Sequence, residues 1–387
     1  MEFETTEEQR LLLETVNKFM DRRLPPAEVR RRDEAQEPPY DLLPLMGEIG
    51  ILGLVVPERY GGSGMDWTTL ALVQERLGQK AYMAASIFNR VVGFGIMSLL
   101  TYGSEAQKEE MLPQLVAGRL LIALALSEPE AGSDAAALRT RAVQAEGGWR
   151  ISGRKTWISD AGGANYLLTP VRTDPNSKGS AGISLFLIPP ATPGIAMTTL
   201  PKVGNHCMPS FDIGFDEVFV PHTAMIGQQG RGFAHMMPTL HFSRASMAAT
   251  VTGCAQAAVD CAIAYARERR QFGRSISSFQ VISHRLVDMQ MRVDAARLMV
   301  RYLAWLLSTK RPCRREAAQA KVMATECLQF VTDHGIQIMA SAGYSTDSDM
   351  QRFWRDGRLY SFGEGTNEIP RNIIARELGL LKPFPDM

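Results

Sequence analysis

A long apolar seam near the C-terminus constrains the fold of this chain more than any other feature. Apolar residues recur there in alternating steps of four and three: Ile282, Leu286, Met289, Val293, Ala296, Val300, Leu303 and Leu307. A helix with this spacing carries one continuous apolar stripe, which other helices must cover. After Pro312, small and apolar residues at helical spacing predict a second, closely packing helix: Ala317, Ala320, Ala324, Leu328, Val331 and Ile338. The C-terminal part of the chain is therefore predicted to be a helical bundle.

The texture of the sequence changes twice along the chain. Residues 1–121 read as helices broken by loops, whereas short β-branched runs such as Gly182–Pro190 and Phe215–Pro221 appear in residues 122–229. Closely spaced turn signals favour antiparallel strands in a small barrel or sandwich. We predict an α+β multidomain protein with an N-terminal helical domain (1–121), a central β-barrel-like domain (122–229) and a C-terminal helical bundle (230–387).

Composition and charge exclude several classes of function. The 42 basic and 41 acidic residues give a net charge of +1, so no overall field draws the chain to nucleic acid or anionic lipid. The five cysteines form no CxxC pair and the six histidines show no metal-ligand spacing, so we expect reduced thiols and no metal. The segment Glu2–Leu13 leads directly into a charged amphipathic helix without a signal peptide or transmembrane pattern, and a cytoplasmic location is expected.

Two polar motifs in the β region fit a flat polar ligand. The first, LSEPEAGSD, offers the hydroxyls of Ser127 and Ser133 and a turn with free N–H groups. The second, GRKTWISDA, offers Trp157 as a stacking face, with Ser159 on the same side of a strand. Together the motifs are typical of a flavin site. Separately, a capping turn and a core tryptophan are the simpler explanations.

One carboxylate in the C-terminal stretch RFWRDGRLYSFGEGTNEIPRNIIAR is placed for proton chemistry. Glu364 lies between Gly363 and Gly365, which leave the backbone open to close approach by a ligand. The apolar helix pattern that follows offers free N–H groups and a positive dipole end to anything bound at the turn. Glu364 is therefore a candidate catalytic base. The alternative from this stretch alone is that Glu364 and Thr366 only cap the helix.

A series of ordered motifs over nearly the whole chain points to one family. These motifs are PERYGGSG, YGSEAQKEEMLPQLVAG, LSEPEAGSD, GRKTWIS, FDEVFVP, GQQGRGF, RRQFGRSISSFQ, RFWRD and EGTNEIPRNIIAREL. With them the chain resembles the acyl-CoA dehydrogenases, the FAD-dependent enzymes that oxidise CoA thioesters. The resemblance implies a helical N-terminal domain, a central β domain and a C-terminal four-helix bundle, usually assembled as a homotetramer.

The resemblance also implies a role for individual residues. The positions that it assigns to FAD are Ser127, Ser133, Trp157, Ser159, Arg269, Gln271, Phe272, Gln280, Gln337, Ser341, Thr366 and Glu368. Of these, the positions from Arg269 to Ser341 would reach the FAD of a neighbouring subunit. The positions that it assigns to the substrate are Ser86, Arg90, Ser133, Arg244 and Gly365.

The family places its catalytic base either on the C-terminal loop or on the helix that carries the substrate-side arginine. In this chain the helix position is Ser243, which cannot accept a proton at neutral pH, so Glu364 is the remaining base. Two departures accompany it. The residue before the base, often tyrosine, is Gly363 and leaves more room. The usual paired glycines after the first residues of QIMASAGY are Ala340 and Ser341, which add bulk near the partner's FAD.

The implied reaction is the α,β-dehydrogenation of an acyl-CoA to a trans-2-enoyl-CoA, within fatty acid and lipid metabolism. Glu364 would remove the α-proton and FAD N5 would accept the β-hydride, with electron-transfer flavoprotein as the next electron acceptor. Two alternatives belong to other classes. One is a flavin oxidase or monooxygenase on the same fold, and the other is a non-catalytic assembly or scaffold protein.

One apolar segment, Met83–Leu100, bears on the identity of the acyl group. It is predicted to be a buried helix interrupted by Asn89 and Arg90. By resemblance, Ser86 and Arg90 lie near the far end of the acyl pocket. A buried arginine needs a counter-charge. Either Arg90 forms a salt bridge to a protein carboxylate or turns to solvent, or it meets a polar or carboxylate-bearing acyl tail, with Gly363 leaving space for a short or branched substrate.

Overall fold

A computed structural model describes residues 4–382 of the chain, so Glu2, Phe3 and residues 383–387, which the predictions above include, lie outside the described residues. The N-terminal part is helical: α1 (Glu7–Arg23), α2 (Pro26–Ala35), α3 (Leu42–Glu48), α4 (Trp67–Lys80), α5 (Tyr82–Asn89), α6 (Met97–Tyr102) and α7 (Glu105–Val116). Capping boxes at Thr6 and Ser104 begin α1 and α7. The sequence thus specifies these helix starts locally.

The segment predicted as one buried helix over Met83–Leu100 is a continuous helix with a change of winding. Helix α5 passes into a π-helical turn over Arg90–Ile96, which α6 continues. The π turn begins directly after Asn89, where the two polar residues interrupt the apolar pattern. Such turns are frequent at functional sites.

Two helical stretches are long and apolar enough to cross a membrane by length and composition alone. They are Tyr82–Tyr102 and Gly232–Glu268. The most apolar window of the first is 89% buried inside the protein, and that of the second is 67% buried. Both stretches are therefore core helices of this fold.

The central region forms one eight-stranded sheet. Its strands are β1 (Ile122–Leu124), β2 (Arg141–Ala145), β3 (Gly148–Ser159), β4 (Tyr166–Arg172), β5 (Ile183–Ile188), β6 (Ile195–Leu200), β7 (Ser210–Pro221) and β8 (Met225–Ile226). The order across the sheet is β6-β7-β3-β2-β4-β5-β8, with β1 also paired to β4. Side chains from β1 to β5 and from β7 meet in one apolar core, which confirms the barrel-like central domain.

Two pairings in this sheet are parallel rather than antiparallel as predicted. Strands β1 and β2 pair with successive stretches of β4, at Ile122–Tyr166 for the first and at Arg141–Arg172 for the second. The chain between them leaves the sheet as an outward loop and returns to β4. This loop contains the LSEPEAGSD motif, so the sheet topology itself presents the motif at the surface.

Strand β5 is buried on both faces. Phe186 and Ile188 point into the core of the sheet, whereas Ile183, Leu185 and Leu187 belong to the core shared with the helices. A strand buried on both sides reads as a continuous apolar run instead of an alternating one, which explains the sequence ISLFLI. The sheet therefore packs directly onto the helical part of the molecule.

The C-terminal part is again helical and confirms the predicted bundle character. Its helices are α8 (Gly232–Glu268), α9 (Gln280–Ser308), α10 (Arg314–Met339), α11 (Ser341–Tyr344), α12 (Asp349–Gly357) and α13 (Glu368–Glu377), with a short hairpin of β9 (Arg270–Gln271) and β10 (Arg274–Ser275) after α8. In the α9 seam, Leu286 to Leu303 are buried, while Ile282 and Leu307 are partly buried against the core. The predicted small-residue face of α10 is buried along its whole length.

Helix α8 crosses α4 at very short range because both helices carry glycine at the crossing. A Cβ on Gly253 would stand 2.0 Å from the Glu75 carbonyl oxygen, and a Cβ on Gly78 would stand 2.2 Å from that of Thr250. Only glycine fits at such a distance. This contact sets the position of α8, on which Ser243 and Arg244 lie.

Candidate active site

The loop that carries Glu364 lies between α12 and α13 and turns sharply. Glu364 (φ +55°) and Gly365 (φ +93°) both have left-handed backbone conformations. The Glu364 carboxylate accepts a hydrogen bond from the Ser243 hydroxyl of α8, with 3.0 Å between Oγ and Oε2. The N-cap residue of α13 is Asn367, so Glu364 does not serve as the helix cap that its sequence position allowed.

The surroundings of Glu364 act on its pKa in opposite directions. Burial raises the pKa of Glu364 above its ordinary value, while the charge of Arg90, the Ser243 hydrogen bond and the charges of Arg244 and Lys321 lower it. The net shift of the Glu364 pKa is upward. A carboxylate with a raised pKa is a stronger base than a free one, which suits the removal of a weakly acidic proton.

Arg244, the predicted substrate-side arginine, is buried next to this carboxylate. Only 5% of the residue is exposed, and burial lowers the pKa of its guanidinium. Within residues 4–382, its buried Nε has no hydrogen-bond partner. An unpaired buried donor is costly in the free protein and is available to an acceptor atom of a bound ligand. This is consistent with the predicted role of Arg244.

Arg90 forms a salt bridge to a protein carboxylate, which is one of the alternatives that the sequence left open. Its Nε lies 3.2 Å from Oδ2 of the buried Asp160, whose Oδ1 accepts a hydrogen bond from the Tyr40 hydroxyl at 3.1 Å. Ser86, the other predicted acyl-pocket residue, is buried one turn earlier, and both it and Arg90 contact the Met208 sulfur at 3.1 Å. Arg90 therefore lies within the field of Glu364 but with its charge already compensated.

The two predicted flavin motifs lie side by side. The backbone N–H of Thr156 donates to the Ser127 carbonyl at 2.9 Å. Beneath them, the buried Lys155 ammonium lies 2.8 Å from the Glu128 carboxylate, and the backbone N–H groups of Arg139 and Thr140 also donate to that carboxylate. This ion pair ties the LSEPEAGSD loop to β3.

Trp157 is 57% exposed and so is not a core tryptophan. It has a φ of +58° within a break in the β3–β7 register, and a bulge of this kind redirects a side chain. Ile158 is buried and Ser159 is half-buried. Because the bulge interrupts the alternation of side chains along β3, the shared side of Trp157 and Ser159 stays a prediction. Ser133 is exposed at the far end of the outward loop.

A cavity of about 460 Å³ is lined by residues of both motifs. Its lining consists of Ser127, Glu128, Pro129, Gly132, Arg154, Thr156, Trp157, Leu200 and Asp212. An exposed indole face beside backbone and hydroxyl groups matches the apolar plane and polar edge of an isoalloxazine ring. The residues present therefore fit FAD.

The predicted FAD contacts between Arg269 and Ser341 do not line this cavity and lie on exposed parts of the bundle. Arg269, Gln271 and Phe272 occupy the β9–β10 hairpin, where Phe272 is 93% exposed, and Gln280 begins α9. Gln337 is exposed on the last turn of α10, followed by Ser341 at the start of α11. This exposure in the single chain is consistent with contacts to a second subunit.

At the place of the usual glycine pair, Ala340 has a φ of +51° and a ψ of −134°. This region of backbone space is disfavoured for any residue with a Cβ. Ala340 therefore has a backbone conformation that normally requires glycine. Ser341, the second of the pair, is helical and exposed.

Three further predicted positions lie next to Glu364 in the loop. The carbonyl oxygen of Gly365 accepts a hydrogen bond from Lys321 at 2.8 Å. Glu368 is exposed at the first turn of α13, where its own backbone N–H and then the Thr366 hydroxyl lower its pKa. A Cβ on Gly363 would lie 3.2 Å from the Leu359 carbonyl oxygen, so the room that we predicted beside the base is limited on that side.

Several residues of this region were not found from the sequence. The buried ion pair between Lys155 and Glu128 and the Asp160 partner of Arg90 give no local signal, since the partners are far apart in the chain. Lys321 did give a signal. It interrupts the small apolar face of α10 one turn after Ala317, where a charged residue has to be buried.

Comparison with known proteins decides the family. Sequence models of the acyl-CoA dehydrogenase N-terminal, middle and C-terminal domains match residues 6–119, 123–218 and 230–379. This chain belongs to the acyl-CoA dehydrogenase family. As in that family, FAD is its cofactor, and the dehydrogenation of an acyl-CoA thioester is its class of reaction.

Individual acyl-CoA dehydrogenases resemble the chain over its full length. Glutaryl-CoA dehydrogenase of Desulfococcus multivorans is 35% identical over 387 residues, covering 99% of each chain. The structure of butyryl-CoA dehydrogenase from Megasphaera elsdenii superposes with a TM-score of 0.94 at 33% identity, covering 98% of this chain and 100% of that one. A chain from a structural study of the electron transferring flavoprotein of Acidaminococcus fermentans superposes with a TM-score of 0.94 at 32% identity. The match covers 99% of this chain and 100% of that one.

Proposed function

We propose that this acyl-CoA dehydrogenase converts an acyl-CoA to a trans-2-enoyl-CoA with Glu364 as the base that removes the α-proton. The observation that carries the proposal is the position of the Glu364 carboxylate, partly buried, hydrogen-bonded to Ser243 and facing three cationic side chains. Its neighbour on α8, Ser243, cannot take the proton itself. Its hydroxyl instead holds the carboxylate in one orientation.

In this mechanism the residues of the chain perform the proton chemistry and the orientation. The α-proton goes to Glu364, whose raised pKa makes it a stronger base. The Glu364 backbone N–H would donate to the thioester oxygen as charge develops there. FAD, when bound, supplies the acceptor for the β-hydrogen and its electron pair. Arg244, whose buried Nε has no hydrogen-bond partner among the described residues, would hold the substrate side of the site.

Replacement of Glu364 by glutamine tests this assignment. Glu364→Gln keeps the size of the side chain and removes its basicity, so FAD and ligand binding should persist while flavin reduction slows by several orders of magnitude. Stopped-flow bleaching of the flavin by an acyl-CoA measures the rate. The control is Glu377→Gln, an exposed carboxylate at the end of α13. Bleaching of Glu364→Gln at the wild-type rate would rule out Glu364 as the base, and rapid reoxidation by oxygen would indicate an oxidase instead.

For the acyl group we propose a polar or carboxylate-bearing tail. The support is the arginine at position 90, one turn from Ser86 and within the field of Glu364. A glutaryl group, named for the 35% identical relative, ends in such a carboxylate. Because Asp160 already pairs with Arg90, a substrate carboxylate would share the guanidinium with it.

The assembly we propose is a homotetramer in which FAD lies between subunits. The hairpin with Arg269, Gln271 and Phe272 is exposed, and α9 exposes Val287, Met291 and Leu298 on the side opposite its buried seam. Exposed apolar side chains in such a row favour burial by another copy of the chain.

We also propose electron-transfer flavoprotein as the electron acceptor, in line with the structural neighbour from a study of such a flavoprotein. The location that we propose is the cytoplasm.

A further inference from the structure

One fully buried lysine, Lys321 of α10, has its ammonium directed at the loop of the base. None of its surface is exposed to solvent. Its Nζ donates to the Asn367 side-chain oxygen at 2.7 Å, to the Gly365 carbonyl at 2.8 Å and to the Ser361 carbonyl at 3.4 Å. An ammonium group has three donors, and all three are used on this one segment.

A hydrogen bond between its first and last residues also closes the segment from Ser361 to Asn367. The backbone N–H of Asn367 donates to the Ser361 carbonyl at 2.8 Å, and the Thr325 hydroxyl donates to the Asn367 side chain at 3.2 Å. Glu364 lies midway between Ser361 and Asn367. The two ends of the loop are therefore fastened to α10, while the carboxylate at its tip is held by Ser243 of α8.

Burial of an ammonium group costs free energy unless the group is fully hydrogen-bonded. An apolar side chain at the same position of α10 could be buried without that cost. The neighbouring residues of the same face, Ala317, Ala320 and Ala324, show what packing alone selects here. A lysine at this position needs a reason beyond packing. The contacts supply one, since each acceptor belongs to the loop or to the first residue before α13.

We propose that Lys321 is a positioning residue, which holds the segment Ser361–Asn367 so that the Glu364 carboxylate lies at Ser243 and at the substrate. The proposal rests on the proposed role of Glu364. The hydrogen bonds of Lys321 go to Ser361, Gly365 and Asn367 and not to the Glu364 carboxylate, so it acts through the loop. A displacement of the order of 1 Å in a catalytic group is enough to reduce turnover about a hundredfold.

Lys321 also belongs to the charges that set the protonation of the base. Glu364 is faced by Arg90, Arg244 and Lys321, and Lys321 is itself faced by Glu364, Arg244, Glu368 and Arg371. Burial lowers the pKa of Lys321 to about 8, so the group is cationic at neutral pH and loses its charge under alkaline conditions. Removal of the cation should raise the pKa of Glu364, because one of the charges that lower it is lost.

The test is Lys321→Met, which keeps the length of the side chain and removes its donors and charge. The first readout is hydrogen exchange of the amides in residues 361–367 of the FAD-loaded protein, expected to become about tenfold faster or more while α9 is unchanged. The second is the pH profile of kcat/KM, whose acidic limb should move to higher pH, with kcat lowered about a hundredfold and KM much less affected. Lys18→Met, at an exposed site on α1, is the matched control.

A folded Lys321→Met protein with unchanged loop exchange and an unchanged pH profile would overturn the proposal, whatever its activity. If that variant does not fold, Asn367→Ala removes one acceptor and leaves the lysine, and the same two readouts apply with smaller changes expected. The exchange measurement does not depend on the identity of the base. Wild-type flavin reduction in Glu364→Gln would therefore disprove the proposed function separately, while faster exchange in Lys321→Met would still support the fastening of the loop.

Discussion

At the scale of single residues, five of the nine non-glycine residues with positive φ in the described part of the chain lie at predicted functional positions or beside them. They are Trp157 (φ +58°), Asp160 (φ +63°), Phe272 (φ +50°), Ala340 (φ +51°) and Glu364 (φ +55°). Such conformations cost free energy and persist where surrounding contacts leave no alternative. Each of these residues lies at a position assigned to FAD or the base, at the partner of Arg90, or at the replaced glycine pair.

The replaced glycine at position 340 leads to a stability prediction. Ala340→Gly should raise the free energy of unfolding by about 1–2 kcal/mol, because the ψ of −134° at a φ of +51° strains a residue with a Cβ. Chemical denaturation of the two proteins measures the difference. Ala295→Gly, at an exposed position of α9 with ordinary helical geometry, is the control and should lose about 1 kcal/mol. Similar losses in both variants would show that Ala340 is not strained.

The proposed specificity for the acyl tail also depends on single residues. The double variant Arg90→Met/Asp160→Asn removes the ion pair without leaving a buried unpaired charge. It should lower kcat/KM for a dicarboxylic acyl-CoA about tenfold or more and change that for butyryl-CoA little, since only the first has a charge to bind. Asp160→Asn alone keeps the arginine and is the control. Equal effects on both thioesters, or no turnover of the dicarboxylic one by the wild type, would leave Arg90 a structural residue.

At the scale of elements, regular periodicity was predictable and local irregularity was not. The α9 seam and the small face of α10 follow from spacing alone, because every turn repeats the same environment. The π turn at Arg90 and the bulge at Trp157 add one residue to a regular element, and no propensity marks such an addition. The parallel pairing of β1 and β2 with β4 depends on contacts between distant strands. The site residues came from family motifs, whereas the ion pairs behind them required the fold.

The crossing of α4 and α8 gives a prediction for an element contact. Gly253→Ala would place a Cβ 2.0 Å from the Glu75 carbonyl oxygen and force the two helices apart. The free energy of unfolding should fall by about 1–3 kcal/mol, as for other overpacked cores, and kcat/KM should fall as well because α8 carries Ser243 and Arg244. Urea denaturation and steady-state kinetics measure the two effects. Gly214→Ala, with open space around its Cα, should change neither, and equal behaviour of the two variants would contradict the packing argument.

At the scale of the whole molecule, the proposed assembly would complete the FAD site with residues of a second chain. The exposed hairpin with Arg269, Gln271 and Phe272 does not line the cavity beside Trp157. If a neighbouring subunit supplies the hairpin, then flavin and subunit each stabilise the binding of the other.

Arg269→Ala tests this coupling. The variant should release FAD and dissociate the oligomer over the same range of protein concentration, because one group would serve both contacts. Light scattering and the flavin absorbance of the same samples measure the two quantities. Arg285→Ala, another arginine of the bundle outside the assigned contacts, is the control. An FAD-saturated monomer of the wild type would contradict shared binding.

Strand β5 has a consequence for how the molecule unfolds. Its residues alternate between two apolar cores, one inside the sheet and one among the helices, so neither core can be opened without exposing one side of the same strand. Loss of one core then removes the support of the other. Although the chain is built of three sequence-distinct regions, we expect the shared strand to make them unfold as one cooperative unit. A fragment cut on either side of residues 183–188 would therefore not be expected to fold by itself.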